Sequence, residues 1–381
     1  MKERHICFWS GKRGGFGALT PTLHELIATP GIKVSIVVTD QHLWDKFGKT
    51  EKEVRAQFSI SALVDMEQKG DANADRARAI GVCLAKGADV LNDLAPDILL
   101  ILGDRGEVFA AAIAAHNLRI AIAHIQGGDI SGTLDEPVRH AVTKLAHLHF
   151  PSTEASAKRI LGMGEEPWRV HTVGDPHIDQ LFKRVKPSEA ELREKYKIGG
   201  GKFVLVLQHS DSTVPQESSR QMNETLSAVE ASGLRALLVY PCSDQGFQGI
   251  IDEIEKRRAN PKISIHQNIP AAEFAGLLSY ATALVGNSSA GLIEAPYFAL
   301  PAVNVGDRQI GREHTSNVLH APYDRAAISA ALAKAVSDTA FRESLRQVTP
   351  PFGDGKTYAR IAQILSEVPL DEKLLNKRMT Y

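Results

Sequence analysis

The chain has 381 residues, 43% of them hydrophobic and 23% charged, and its 44 basic and 45 acidic residues leave a formal net charge of −1. This length exceeds what one hydrophobic core usually sustains, so two domains are expected, and the balanced charge excludes a nucleic-acid footprint or an anionic-membrane patch as the organising feature. Three cysteines, Cys7, Cys83 and Cys242, with no C-x-x-C spacing, exclude a disulfide framework and a cysteine zinc site.

The N-terminal "MKERHICFWSGKRGG" carries only a four-residue apolar run, too short for a signal-peptide core, and no apolar run reaches membrane-spanning length. A cytoplasmic protein without membrane contact is the expectation. In chain order, "ICFW", "VSIVVT", "DILLIL", "RIAIAHI" and "HLHF" read as strands separated by helical segments. After "KRVKPSEAELREKYKIGGGK", whose proline, charges and glycines mark a connection, follow "FVLVLQH", "RALLVY", "ISIHQ", "TALVG" and "PAVNVG". Strands this uniformly apolar are covered on both faces. The fold class is therefore α/β, with about five strands in each of two Rossmann-like domains facing a cleft.

Ligands of open parallel sheets bind outside the carboxyl ends of the strands, which directs attention to the polar residues there. "SGKRGGFGAL" is a glycine-rich strand-to-helix turn, open either to phosphate contact, with Arg13 as the anion ligand, or to a plain tight turn. "GDRGEVF" and "HIQGGDISGTLDEPVRHAVTKLAH" bring Asp104, Asp129, Asp135 and Glu136 after neighbouring strands, a density of carboxylates suited to general acid and base work. His124, His140 and His147 lack metal-ligand spacing, so no metal is expected. "LQHSDS" ends a strand in His209, either structural or able to stabilise a departing anion. "VGNSSAGLIEA" sets Ser288 and Ser289 at a strand-to-helix turn with Glu294 a helical turn on, a pattern for a diphosphate and a ribose diol. "VGDRQIGREHTSNV" adds Arg308 and Arg312.

Together with "PFGDGKTYARI", these motifs resemble the UDP-N-acetylglucosamine 2-epimerase family, specifically its hydrolysing branch, over nearly the whole chain and in the right order. The resemblance implies a glycosyltransferase-B-like fold. It divides the chain into an N-terminal domain at 1–180, completed by a returning helix at about 358–381, and a nucleotide-binding domain at 181–357. It implies elimination of UDP to a 2-acetamidoglucal, then hydration to N-acetylmannosamine, with no cofactor. Asp104, Asp135 and Glu136 correspond to catalytic acids, His209 to the histidine facing the diphosphate, and Arg139 to an arginine beside the acids. Arg13, Arg105, Ser288, Ser289, Glu294 and Arg308 fall to the nucleotide, and Arg312 joins them through its position beside the Ser-Ser turn.

Gln126 stands where the family often has Glu; it can orient a hydroxyl or water but not act as a base, and Asp129 is the candidate to compensate. Two sugars stay open: UDP-N-acetylglucosamine, toward sialic acid, and UDP- or GDP-linked 2,4-diacetamido-2,4,6-trideoxyglucose, toward legionaminic acid. From another class, a catalytically inactive nucleotide-sugar-binding regulator would need broken acids, and these are intact. Relatives of this kind imply a homodimer or homotetramer.

Overall fold

The computed structural model describes residues 3–45, 48–70, 73–130, 136–183, 186–211, 213–242 and 244–381. Asp135 lies outside the described residues. The chain separates into two compact units, one built from residues 1–130, 134–182 and 352–381, the other mainly from 183–351.

The first unit holds β1 (Arg4–Ser10), β2 (Ile32–Thr39), β3 (Ala62–Val64), β4 (Ile98–Leu102), β5 (Ala121–Ile125) and β6 (Leu148–Phe150), in the order β3-β2-β1-β4-β5-β6. The second holds β7 (Phe203–Val206), β8 (Arg235–Val239), β9 (Ile263–His266), β10 (Ala283–Gly286), β11 (Ala302–Val305) and β12 (Val318–Ala321), in the order β12-β11-β10-β7-β8-β9. Every neighbouring pair is parallel. Both orders are the doubly wound Rossmann pattern, reversing between β1 and β4 and between β7 and β10.

The apolar runs form strands because both faces are covered. Ile6 and Phe8 of β1 pack into one buried cluster while Cys7 and Trp9 pack into another on the opposite face. In the second unit Val204 and Val206 face one cluster, Phe203 and Leu205 the other. Each sheet has one strand more than its apolar runs announce: β3 ("ALV") and β12 ("VLHA") are edge strands, short and partly exposed, and carry too little apolar sequence to stand out. Among the described residues no helix is long and apolar enough to cross a membrane.

The helix Thr357–Glu367 buries Ile361, Ala362 and Leu365 in the first unit's core. Buried Asp179 accepts the backbone N–H groups of Thr357 (2.9 Å) and Tyr358 (2.7 Å), satisfying donors at that helix's first turn. The tail beyond it is held by Lys377, whose Nζ donates to the carbonyls of Lys144 and Ala146 at 2.8 Å and pairs with Glu165 at 2.6 Å. Burial alone would raise the Glu165 carboxyl, but hydrogen bonds from His149, Lys144 and Lys377 outweigh it and hold the group at about 2, against an ordinary 4.5. A carboxylate depressed in the folded state contributes stability that is complete above its unfolded value and lost as pH falls toward its folded value. Between pH 5 and pH 3 the wild-type protein is expected to lose about 2 kcal/mol more unfolding free energy than Glu165→Gln, read from urea transitions at each pH.

Candidate active site

In the first unit the carboxyl ends of β1, β4 and β5 converge on a cavity of about 120 Å³ whose lining includes Gly11, Asp104, Arg105, Glu107, Gln126 and His177. Its rear wall is ionic. Arg76 bridges Asp40 (3.0 Å) and Glu107 (2.8 Å), and Arg105 bridges the same two carboxylates at 2.9 and 2.8 Å. Burial and the neighbouring Glu107 push Asp40 upward, whereas for Glu107 the burial cost is outweighed by Arg105 and Arg76, which hold it below the usual range. Gly11 is required here, since a Cβ on it would fall 2.2 Å from Glu107 Oε1. Arg105, expected at the nucleotide, therefore has its guanidinium engaged by two buried carboxylates.

Asp104 pairs with Arg139, whose other nitrogen donates to the Asp129 carbonyl at 2.8 Å. The backbone behind Asp104 is fixed by His124, which bonds the Gly103 carbonyl at 2.7 Å and is driven down to about 3 chiefly by burial. Glu136 opens the helix Glu136–Leu145 and lies 3.7 Å from His140. His147 accepts the Ile122 backbone N–H, and burial lowers it to about 4, so His124 and His147 are neutral framework groups. No group of three or more metal-ligating side chains forms among the described residues.

Gln126 occupies the left-handed region (φ 61°), an uncommon conformation for a residue with a side chain. Its Nε2 donates to Asp175 Oδ2 at 2.9 Å. Asp129, expected to compensate for the missing carboxylate, accepts the Ser156 hydroxyl at 2.6 Å. The acid beside Gln126 is instead Asp175, which bonds His177 Nδ1 at 2.8 Å. Sequence reasoning passed over both residues; the available signal was "GDPHID", an Asp two places before a His around a proline that starts a helix.

In the second unit β7 and β10 meet at Asn287, whose side chain accepts the His209 N–H (2.7 Å) and donates to the His209 carbonyl (2.9 Å). Cys242 N–H donates to His209 Nδ1 at 3.0 Å, so the neutral ring carries its proton on Nε2. Burial, then the nearby Arg308, lowers His209 to about 4, so it is neutral at pH 7. Arg308 donates to Asp244 at 3.1 Å and to the Asn287 carbonyl at 3.4 Å. Ser288 Oγ accepts the Ala290 N–H, and Ser289 precedes the short helix Ala290–Ile293. That helix stops before Glu294 and gives way to a 3₁₀ turn containing Pro296, rather than carrying Glu294 within it as expected. Arg312 donates to Gln309 at 3.0 Å, in a stretch that is not helical. Arg13 pairs with Glu53 at 2.8 Å, both exposed.

Residues 24–366 match the UDP-N-acetylglucosamine 2-epimerase family. The chain is 35% identical over 380 residues to the Legionella pneumophila UDP-N,N'-diacetylbacillosamine 2-epimerase (hydrolyzing), covering 99% of this chain and all of that one. This chain belongs to the UDP-N-acetylglucosamine 2-epimerase family, in its hydrolysing branch. It is 31% identical to the Neisseria meningitidis UDP-N-acetylglucosamine 2-epimerase over 88% of each chain. The crystal structure of UDP-GlcNAc 2-epimerase from Neisseria meningitidis bound to UDP-GlcNAc shares the fold, with a TM-score of 0.83 over 96% of this chain and 100% of that chain at 18% identity. The architecture is thus that of the glycosyltransferase-B-like two-domain epimerases, and the chain is an enzyme of the nucleotide-sugar 2-epimerase type.

A larger open groove, about 830 Å³, runs between the helices Ser218–Ala231 and Phe247–Glu255. Within it Glu253 pairs with both Lys256 (2.6 Å) and Arg257 (2.6 Å), so these charges are spent on one another.

The ionic wall yields a stability contrast. Arg76→Met leaves two buried carboxylates facing one cation and is expected to lower unfolding free energy by about 3–5 kcal/mol. Arg13→Met, breaking an exposed pair, should cost less than about 1 kcal/mol in the same urea titration.

Proposed function

We propose that this epimerase acts on UDP-2,4-diacetamido-2,4,6-trideoxyglucose, the compound also called UDP-N,N'-diacetylbacillosamine, and releases UDP and the free manno-configured sugar. The observation that carries the choice is the end-to-end 35% identity with the Legionella enzyme named for that sugar. It takes the second of the two sugars that the motifs left open. UDP-N-acetylglucosamine remains the other reading, supported by the Neisseria relative.

In the proposed chemistry a carboxylate removes the C2 proton while the C1–O bond to the diphosphate breaks, leaving a 2-acetamidoglucal and UDP. Water then adds at C1 and a proton returns to C2 from the opposite face. An acetamido-bearing C2 is weakly acidic, so proton removal must be assisted by stabilising the leaving group. Asp104, Asp135 and Glu136 are assigned the proton transfers, with Arg139 fixing Asp104 and Gln126 orienting a hydroxyl or water. His209, neutral with Nε2–H, donates a hydrogen bond to the departing diphosphate. Ser288, Ser289, Arg308 and Arg312 hold that diphosphate, with Arg13 as a further nucleotide contact, and Glu294 takes the ribose diol. The free sugar fits the route to legionaminic acid.

Proton NMR in D2O of the enzyme with each UDP-sugar tests the reading. The expected result is UDP and a C2-deuterated manno sugar from the diacetamido substrate, with UDP-N-acetylglucosamine turned over more slowly; the reverse order would move the substrate to N-acetylglucosamine. Asp104→Asn should cut kcat by at least about 100-fold while leaving UDP affinity near wild type. The pair Ser289→Ala with Glu294→Ala should weaken UDP binding by calorimetry, and unchanged affinity would overturn that nucleotide site.

A further inference from the structure

The first unit's cavity is lined by an imidazole as well as by carboxylates. Asp175 is buried, with a side chain 1% exposed, whereas the His177 side chain is 37% exposed and lines the cavity with Asp104 and Gln126. All the polar capacity of Asp175 converges on this corner. Oδ1 accepts the His177 backbone N–H at 2.9 Å and its ring nitrogen at 2.8 Å, while Oδ2 accepts Gln126 at 2.9 Å and the Ser152 hydroxyl at 3.3 Å. Burial alone would raise the Asp175 carboxyl, but its interaction with His177, then the hydrogen bond from Gln126, holds it below the usual range.

A helix cap explains part of this, since Asp175 precedes the helix Pro176–Lys183. Capping uses backbone donors, however, and accounts for neither the ring contact nor the bond from Gln126. Gln126 Nε2 also approaches His177 Nδ1, at 3.4 Å. The shorter contact, to an ionised buried carboxylate, decides the tautomer: Nδ1 carries the proton and Nε2 the lone pair. An imidazole oriented in this way by a buried acid is a general base, whereas the amide beside it is not.

We propose that His177, oriented by Asp175, is the general base of the hydration half-reaction. The idea rests on the epimerase mechanism given above. Water oxygen bonds to C1 of the 2-acetamidoglucal, the π pair of the C1–C2 double bond takes a proton at C2 from a carboxyl group of the site, and His177 Nε2 takes the surplus proton of the water. The imidazolium is stabilised by Asp175 and afterwards returns its proton to solvent. Asp175 is a positioning residue. Gln126 suits this arrangement because its amide supplies a hydrogen bond to Asp175, where a carboxylate at the same place would repel it.

The test follows both half-reactions by NMR in the full-length enzyme with UDP-2,4-diacetamido-2,4,6-trideoxyglucose, or with UDP-N-acetylglucosamine if that is the sugar turned over. His177→Ala is expected to release UDP, accumulate the 2-acetamidoglucal and hydrate it at least about 100-fold more slowly than wild type. Added imidazole should restore hydration. Asp175→Asn should show the same accumulation more weakly, because it leaves the ring in place but permits the wrong tautomer. Release of UDP and free sugar in step at wild-type rate by His177→Ala would overturn the proposal. So would equal loss of both half-reactions without imidazole rescue, which is the signature of a structural role. A wild-type enzyme that releases UDP from neither sugar would instead refute the proposed function itself, and the base assignment with it.

Discussion

Parallel pairing is the constraint on which this molecule depends. A parallel strand pair cannot be closed by a tight turn, so each connection crosses a face of the sheet and the carboxyl ends of the strands emerge along one edge. Each unit then has a point where the strand order reverses, between β1 and β4 and between β7 and β10. The loops on either side of that point diverge and leave a crevice. The candidate chemistry lies at these crevices: Asp104 and Gln126 after β4 and β5, and His209 and Ser288 after β7 and β10.

The two crevices are finished by different physical means. In the first unit the backbone turns rest against buried charge, with Asp40, Glu107, Arg76 and Arg105 closing a ring of ion pairs behind the cavity. Such a ring contributes little net stability over an apolar wall but is costly to break, so it fixes geometry. In the second unit neutral groups do the same work. Asn287 bonds both backbone groups of His209, and a Cβ on Gly286 would fall 2.2 Å from the Leu207 carbonyl, so only glycine lets the two strand ends approach this closely. A neutral His209 beside Arg308 suits a site that receives an anion, because the ring donates a hydrogen bond without drawing a counter-carboxylate of its own.

The histidines show how little residue type says without burial. His124, His147 and His149 lie close in sequence to the acids but are buried, deprotonated and bonded to framework groups. His177, in the "GDPHID" stretch that sequence reasoning passed over, lines the cavity beside Asp104 and Gln126.

The sequence by itself determined the α/β class, the ten strands that have apolar runs and the family. These are properties of local composition: an apolar run of strand length must be buried on both faces wherever it folds, and a motif is read without knowing its surroundings. The edge strands β3 and β12 escaped because half-exposed strands need little apolar sequence. Tertiary structure alone decided the partners. Arg105 meets Asp40 across 65 positions and Gln126 meets Asp175 across 49. A charged side chain with an open guanidinium and one locked between two carboxylates have the same sequence. Which of them a chain contains depends on what packing brings within about 3 Å, the range over which a hydrogen bond in a desolvated site is made or lost.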